Sequence, residues 1–210
     1  MVDSYKILST SIEYIASRSL IPRTNSSEVQ STSASSNNTT DHFRGDTLLL
    51  PPPTPLNPTP NVLIATTRGS STSTRGWLSV FPLDADGNFV NARDVGGKFQ
   101  VDGDDDDDDD EAHRFRTPTS GGKANAIDIL PKSLLSNDAD AESGLWILLT
   151  DDDDVTATTT GIGAVRVLEW NGWRSEGIKL VAEWPSSPDS TADETEGVRI
   201  KGASHAIWLD

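Results

Sequence analysis

The chain has 210 residues, enough for one domain of ordinary size or two small ones. It carries 33 acidic residues against 17 Lys and Arg, and this net charge of −16 argues against nucleic-acid binding because phosphates would be repelled. The absence of cysteine excludes a disulfide scaffold, a thiolate metal site and a cysteine nucleophile, and it fits a reducing compartment. No run approaches the ~20 apolar residues of a membrane span, and the N-terminus lacks the apolar core of a signal peptide. We therefore predict a cytoplasmic protein with neither nucleic acid nor membrane as a partner.

The acidity is concentrated in one segment. Residues 102–111 hold nine acids and no base, and without them the chain would have 24 acids against 17 bases. A run of like charge is solvated, so residues 101–111 are predicted to be an inserted loop. Two more polar segments, 24–40 and 185–196, cannot offset their ordering entropy by apolar burial. We predict an N-terminal segment over 1–40 that is partly disordered, followed by one structural unit over 41–210 with insertions at 101–111 and 185–196.

Short runs of apolar and β-branched residues indicate strands. In chain order they cover residues 47–50, 61–67, 76–83, 126–130, 144–150, 164–170, 178–184 and 206–209. Residues 84–88 (DADGN) predict a hairpin turn with Gly87 in a left-handed conformation. Only residues 5–18 carry a weak helical pattern, so the chain is predicted to be all-β.

The strand order repeats along the chain. The run from His42 through GWLSVFPLDADGNFV is followed about 80 residues later by a similar run from Lys123 through GAVRVLEWNG, and a third opening begins at Ala203. Such repeats are typical of β-propellers and β-solenoids, and without the insertions the repeating unit approaches the ~40–50 residues of a propeller blade. We expect about two four-stranded blades plus one closing strand. Because a closed ring takes roughly four to eight blades, this predicts an incomplete β-propeller.

Several motifs follow one another in an order that resembles a known family. They are ATTRG (65–69), GWLSVFPLDADG (76–87), TPTSGGKANAI (117–127), WILLTDDDD (146–154), AVRVLEWNGW (164–173) and HAIWLD (205–210). Together they resemble the C-terminal part of the fungal 3-carboxy-cis,cis-muconate cyclases, also called carboxymuconate lactonizing enzymes, of the seven-bladed lactonase propeller superfamily. FRGD (43–46) is similar to the family's Tyr-Arg-Ala-Asp segment. The resemblance covers most of residues 41–210.

This resemblance implies an isomerase of aromatic catabolism, in the β-ketoadipate pathway, that needs no cofactor and no metal. Its substrate would be a small anionic polycarboxylate, which is closed to a lactone when a carboxylate adds across a C=C bond. The family's site uses His, Glu and two Arg, and only Arg68 matches one of them here. The other three would lie in preceding blades, so we expect a truncated form that is inactive alone.

The candidate site residues each have an alternative interpretation. Arg68 is the catalytic candidate as a carboxylate anchor, although an Arg that ends a strand is usually a surface residue. Arg44 is a substrate-binding candidate, but an ion pair with Asp46 is favoured. Asn125 either faces the central channel or satisfies a turn.

Two further candidates depart from the family's pattern. Lys123 stands where the family usually has His, and as a cation it could still attract an anionic substrate. His205 stands where the family more often has Asn, and an exposed or satisfied histidine is favoured over a substrate contact.

Other features favour structural roles. Residues 151–154 (DDDD) lack the spacing of a calcium loop and are predicted to be a solvated turn. The six tryptophans fall mostly in strands and are predicted to pack between blades. The alternative to an enzyme is a non-catalytic module, or the product of a decayed gene, whose open blade edges bind a partner or a second copy.

Overall fold

Ten β-strands dominate the part of the chain that the structure describes. The structure is a computed structural model, and it describes residues 1–22, 42–71, 74–96, 111–120, 126–135, 144–154, 162–184 and 205–209. Within these ranges the helical elements are α1 (Ala92–Gly96) and a 3-10 turn at Lys132–Leu134. No described helix has the length and apolar character needed to cross a membrane.

The strands form three antiparallel sheets. The N-terminal hairpin contains β1 (Val2–Ile7) and β2 (Ile12–Arg18). The first sheet has the order β3 (Phe43–Leu49), β4 (Val62–Gly69), β5 (Trp77–Pro82) and β6 (His113–Arg116). The second sheet has the order β7 (Ile127–Pro131), β8 (Leu145–Asp154), β9 (Ile162–Trp170) and β10 (Ile178–Trp184). Each four-stranded sheet is therefore a meander in which consecutive strands are neighbours.

The all-β prediction is confirmed, and seven predicted strands correspond to β3, β4, β5, β7, β8, β9 and β10. The strand predicted over residues 206–209 was wrong. The described residues 205–209 are not paired in a sheet, and instead the backbone N–H of Trp208 donates to Asp128 Oδ2 at 2.8 Å. Strand β6 was not predicted, because four residues with three basic or imidazole side chains carry little apolar pattern.

The weak helical pattern over residues 5–18 was also misleading, since this stretch forms most of the N-terminal hairpin. Tyr5 lies opposite Tyr14, with their rings 5.8 Å apart and edge to face, and Ile7 lies opposite Ile12. Aromatic and β-branched cross-strand pairs of this kind favour a sheet over a helix. The segment predicted as partly disordered, 24–40, lies outside the described residues, as do 101–110 and 185–196.

The two four-stranded sheets pack face to face around the main core. Residues of both sheets contribute to it, including Ile64 and Val80 from the first and Ile147 and Leu168 from the second, all fully buried. Strand β3 lies beside β7, and β6 lies beside β10. Corresponding strands of the two sheets are therefore adjacent, so the second sheet repeats the first in the same orientation.

The opposite face of the first sheet packs against the N-terminal segment. Leu20 is buried there with Leu63, Ala65, Phe81 and Ala112. The backbone of the N-terminal segment is also hydrogen-bonded to this sheet, because Ser79 Oγ donates to the carbonyl of Leu20 at 3.1 Å. Residues 1–22 are thus attached to the first sheet through both apolar and polar contacts.

The hairpin turn predicted at residues 84–88 is confirmed. Gly87 has φ of 80°, and Leu83 bridges Phe89 across the turn. Asp84 Oδ1 accepts hydrogen bonds from the backbone N–H groups of Asp86 and Asn88, at 2.9 and 2.8 Å. The side-chain hydrogen bond from Asn88 is the main reason that the pKa of Asp84 lies below its usual value.

Candidate functional site

Polar side chains gather at one end of the two-sheet stack, where β4, β6 and β8 end. We call this the polar end and define it by Arg68, Thr119, Asp151 and Arg166. Along β4, Arg68 is separated from the core residues Val62 and Ile64 by even numbers of residues. It therefore lies on the same face of the strand, which packs against the second sheet. The polar end therefore lies between the two sheets, directly next to the apolar core.

Arg166 forms the centre of this end. Its side chain is only 1% exposed, as is that of Asp151, and their Nη1 and Oδ2 atoms are 3.3 Å apart. Arg166 Nε also donates to Glu183 Oε2 at 2.8 Å, across the pairing of β9 with β10. A guanidinium this deeply buried requires such partners, because burying an unpaired charge is very costly.

Thr119 connects this ion pair to the first sheet. Its hydroxyl donates to Asp151 Oδ2, and its carbonyl accepts from the backbone N–H of Gly76 at 3.0 Å. The next carbonyl, that of Ser120, accepts from the backbone N–H of Gly69 at 2.9 Å. A Cβ at Gly76 would lie 2.2 Å from the carbonyl oxygen of Thr67, so only glycine allows this close approach. The segment after β6 thus links the end of β4 to the second sheet.

Arg68 and Arg44 are directly opposite each other in the pairing of β4 with β3. Opposite residues of an antiparallel pair project from the same face, so two guanidinium groups occupy neighbouring positions there. Arg68 is half-buried and Arg44 is exposed. Two guanidinium groups on neighbouring strands are suited to donating hydrogen bonds to the carboxylates of one polycarboxylate.

Of the three remaining candidate residues, the structure describes His205 alone. Lys123 and Asn125 lie outside the described residues. His205 is exposed, in the segment that passes beside β7. The predicted Arg44–Asp46 ion pair stays a prediction. Of the five candidate residues, the structure thus shows Arg44 and Arg68 next to each other, at the polar end.

The prediction of a solvated turn at residues 151–154 was wrong for Asp151. Strand β8 continues through Asp154, and Asp151 lies opposite Ala164 on the two central strands of the second sheet, at the polar end. Its carboxylate is buried because Arg166 compensates its charge. The run of four aspartates hides this role, since only the alternation of strand β8 distinguishes the inward-facing residue from its neighbours.

A second polar group lies at the opposite end of the stack. Trp170 Nε1 donates to His113 Nδ1 at 2.9 Å, and the rings of His113 and Trp173 lie 4.9 Å apart. Burial lowers the pKa of His113 to about 4. The prediction that tryptophans pack between sheets is confirmed for Trp170 and Trp173, both of which belong to the main core.

Sequence reasoning missed the central residues of both ends. From the sequence, Arg166 is predicted only as part of the alternating strand AVRVLEW. Alanine, leucine and tryptophan occupy the other positions on its face of the strand, and this pattern indicates that the arginine is buried. His113 follows the acidic loop and carried no motif. Both acquire their partners from the other sheet or a neighbouring strand, which local patterns do not reveal.

Comparison with known proteins finds no matching family model, no significant match among curated proteins and none among solved structures. Within the described ranges, no three His, Asp or Glu side chains are grouped so that they could hold a metal ion. The described polar end presents guanidinium and carboxylate groups. It is suited to binding an anion through Arg44 and Arg68, beside the internally compensated Arg166.

Proposed function

We propose that the two four-stranded sheets are adjacent blades of a lactonase-type β-propeller. The observation that carries this proposal is the repetition of one meander, with β3 beside β7 and β6 beside β10. Blades of a propeller are related in this way, because each is rotated about a common axis relative to the previous one. The order of the sequence motifs supports the same assignment.

The biochemical function that we propose is that of a carboxymuconate cyclase-like protein. In this reaction a carboxylate oxygen of the substrate bonds to one carbon of a C=C bond, and a proton is delivered to the other carbon. The cytoplasm is the proposed location. Arg68 would bind a carboxylate of the polycarboxylate substrate, and Arg44 would assist from the neighbouring strand.

Two sheets do not close a ring, so the proposal requires further blades, whether from a longer polypeptide or from other chains. Those blades would supply the group that delivers the proton. The polar end by itself offers carboxylate binding, and we therefore expect the 210-residue chain to bind the substrate without converting it.

A titration with 3-carboxy-cis,cis-muconate tests the proposal. We expect weak binding, reduced about tenfold by Arg68→Ala and less by Arg44→Ala, because a half-buried guanidinium contributes more than an exposed one. The matched control is Arg174→Ala, which removes an exposed arginine from the loop after β9. Equal binding by wild type and Arg68→Ala would overturn the assignment of substrate class.

The reaction itself is followed by the loss of the conjugated diene absorbance. We expect no turnover by the chain alone. Turnover that Arg68→Ala abolishes would contradict the requirement for further blades, while leaving the substrate class supported.

An alternative function is that of a non-catalytic interaction module. It is supported by strand β10, an edge of the second sheet on which Leu180, Val181 and Trp184 are exposed. Exposed apolar edge strands favour pairing with another chain. The titration separates the alternatives, since an interaction module has no reason to bind the tricarboxylate through Arg68.

A further inference from the structure

His113 joins the two sheets at the end opposite the polar end. It begins β6 in the first sheet, opposite Val80, and accepts a hydrogen bond from Trp170, the last residue of β9. The indole N–H of tryptophan is a donor only. His113 Nδ1 must therefore be an acceptor, which places the proton of the neutral ring on Nε2.

Protonation is incompatible with this arrangement. An imidazolium carries protons on both nitrogens, so Nδ1–H would face the N–H of Trp170 and the hydrogen bond would be lost. The charge would also be buried among the side chains of the main core, between Trp170 and Trp173. A cation–π contact with the tilted ring of Trp173 would offset only part of this cost.

Most charged side chains on the elements around His113 have other partners or point away from its ring. In its own segment, Arg114 points to the other face of the sheet, where Nη2 donates to the carbonyl of Ser19 at 2.8 Å. Glu169 on β9 is paired with Lys132, on the face away from Trp170. Strand β5 contributes no charged residue.

Further charged residues lie on the elements around the same end. On β10 and the preceding loop, Lys179 is paired with Glu176 at the surface, and Arg174 is exposed. On α1, Arg93 and Asp94 are exposed. The remaining group is Glu111, a half-buried carboxylate two residues before His113, which would favour the imidazolium if it turned towards the ring.

We propose that His113 is a pH-sensitive latch between the two sheets, closed while its ring is neutral and released when it is protonated. Release separates β6 from the end of β9, so acid opens the main core at this end of the stack. The latch concerns this end alone, and the polar end is joined by the separate ion pair of Arg166 with Asp151.

Amide hydrogen exchange of β6 and β9 between pH 7.5 and 5.0 tests the latch, after correction for the intrinsic pH dependence of exchange. We expect opening to increase roughly tenfold over this range, because the open state binds the proton more tightly than the closed one. In His113→Asn the side-chain oxygen is bonded to Cγ, as Nδ1 is, so it can accept from Trp170 without titrating, and the increase should disappear. His205→Asn, at an exposed histidine, is the matched control and should behave like wild type. Glu111→Gln tests whether that carboxylate moves the transition.

Two outcomes would overturn the latch. One is unchanged exchange of wild-type β6 and β9, and the other is a full increase in His113→Asn. If that variant does not fold, nitrogen NMR shifts of His113 in the wild-type protein decide the question. We expect the Nε2–H tautomer at pH 7.5 and protonation that coincides with opening. An Nδ1–H tautomer, or protonation with the sheets still closed, is the contrary result.

Discussion

Arg166 illustrates how a single residue in this protein depends on the tertiary structure. Its guanidinium is as buried as the neighbouring leucines, and it is compensated by Asp151 from β8 and Glu183 from β10. A buried ion pair adds little stability relative to well-packed apolar residues, but removing one partner is costly because the other charge remains buried. We therefore expect the network to matter mainly through the cost of breaking it.

Replacing Asp151 with asparagine tests this interpretation. We expect Asp151→Asn to lower the free energy of unfolding by about 3 kcal/mol, since Arg166 loses a fully buried counter-charge, while Glu183 is partly exposed. Chemical denaturation followed by tryptophan fluorescence measures the change. Asp94→Asn, at an exposed position of α1, should alter stability by less than about 0.5 kcal/mol. A similarly small effect of Asp151→Asn would contradict the role assigned to the pair.

At the scale of elements, the N-terminal hairpin is the clearest difference between expectation and structure. Its sequence is too polar for a continuous apolar pattern, and its strands are stabilised by cross-strand pairs and by attachment to the first sheet. Leu20 is the buried contact that follows β2, in the cluster with Leu63 and Phe81. The hairpin alone would be marginal, because an isolated two-stranded sheet is rarely stable in water.

Leu20→Ala should therefore loosen the N-terminal segment. We expect a loss of about 2 kcal/mol in the free energy of unfolding and faster tryptic cleavage after Arg18, because the substitution leaves a cavity over Phe81. The control is Leu56→Ala, at a leucine that is 57% exposed, which should leave both readouts near wild type. Unchanged proteolysis at Arg18 would contradict this role of Leu20. It would mean that the hydrogen bonds from Ser79 and Arg114 to the backbone of the segment are enough to hold it.

At the scale of the whole molecule, each sheet of the described residues ends in edge strands, among them β10. The two four-stranded sheets do not close, and strand β10 exposes Trp184, 49% accessible, together with Leu180 and Val181. Apolar surface of this kind is normally covered in a stable protein. In the part of the chain that the structure describes, this apolar surface lies at the flanks of the stack, outside the core between the sheets.

We expect the purified chain to self-associate through these flanks, as sedimentation velocity over a range of concentrations would reveal. The double substitution Leu180→Lys with Trp184→Lys should shift the distribution towards monomer, because it places charge on the β10 edge. Leu56→Lys adds a charge at an exposed leucine elsewhere and should not have this effect. A monodisperse wild-type monomer with sharp cooperative unfolding would contradict the expectation.

The sequence by itself determined the all-β class, seven of the strands and the turn at Gly87. These features depend on alternation, β-branched residues and turn chemistry, which act between residues close along the chain. The repeat also indicated that the two halves of residues 41–210 would form similar sheets. The motifs pointed to Arg68, and the structure adds that Arg44 lies directly opposite it.

Only the tertiary structure decided which polar residues are buried and what compensates them. Asp151 stands within a run of identical residues, and Arg166 and His113 receive their partners from strands far away in the sequence. The net charge of −16 likewise gave no indication of the compensated charges inside. Burial makes these charges and hydrogen bonds important, and burial is set by how the two sheets pack rather than by any local pattern.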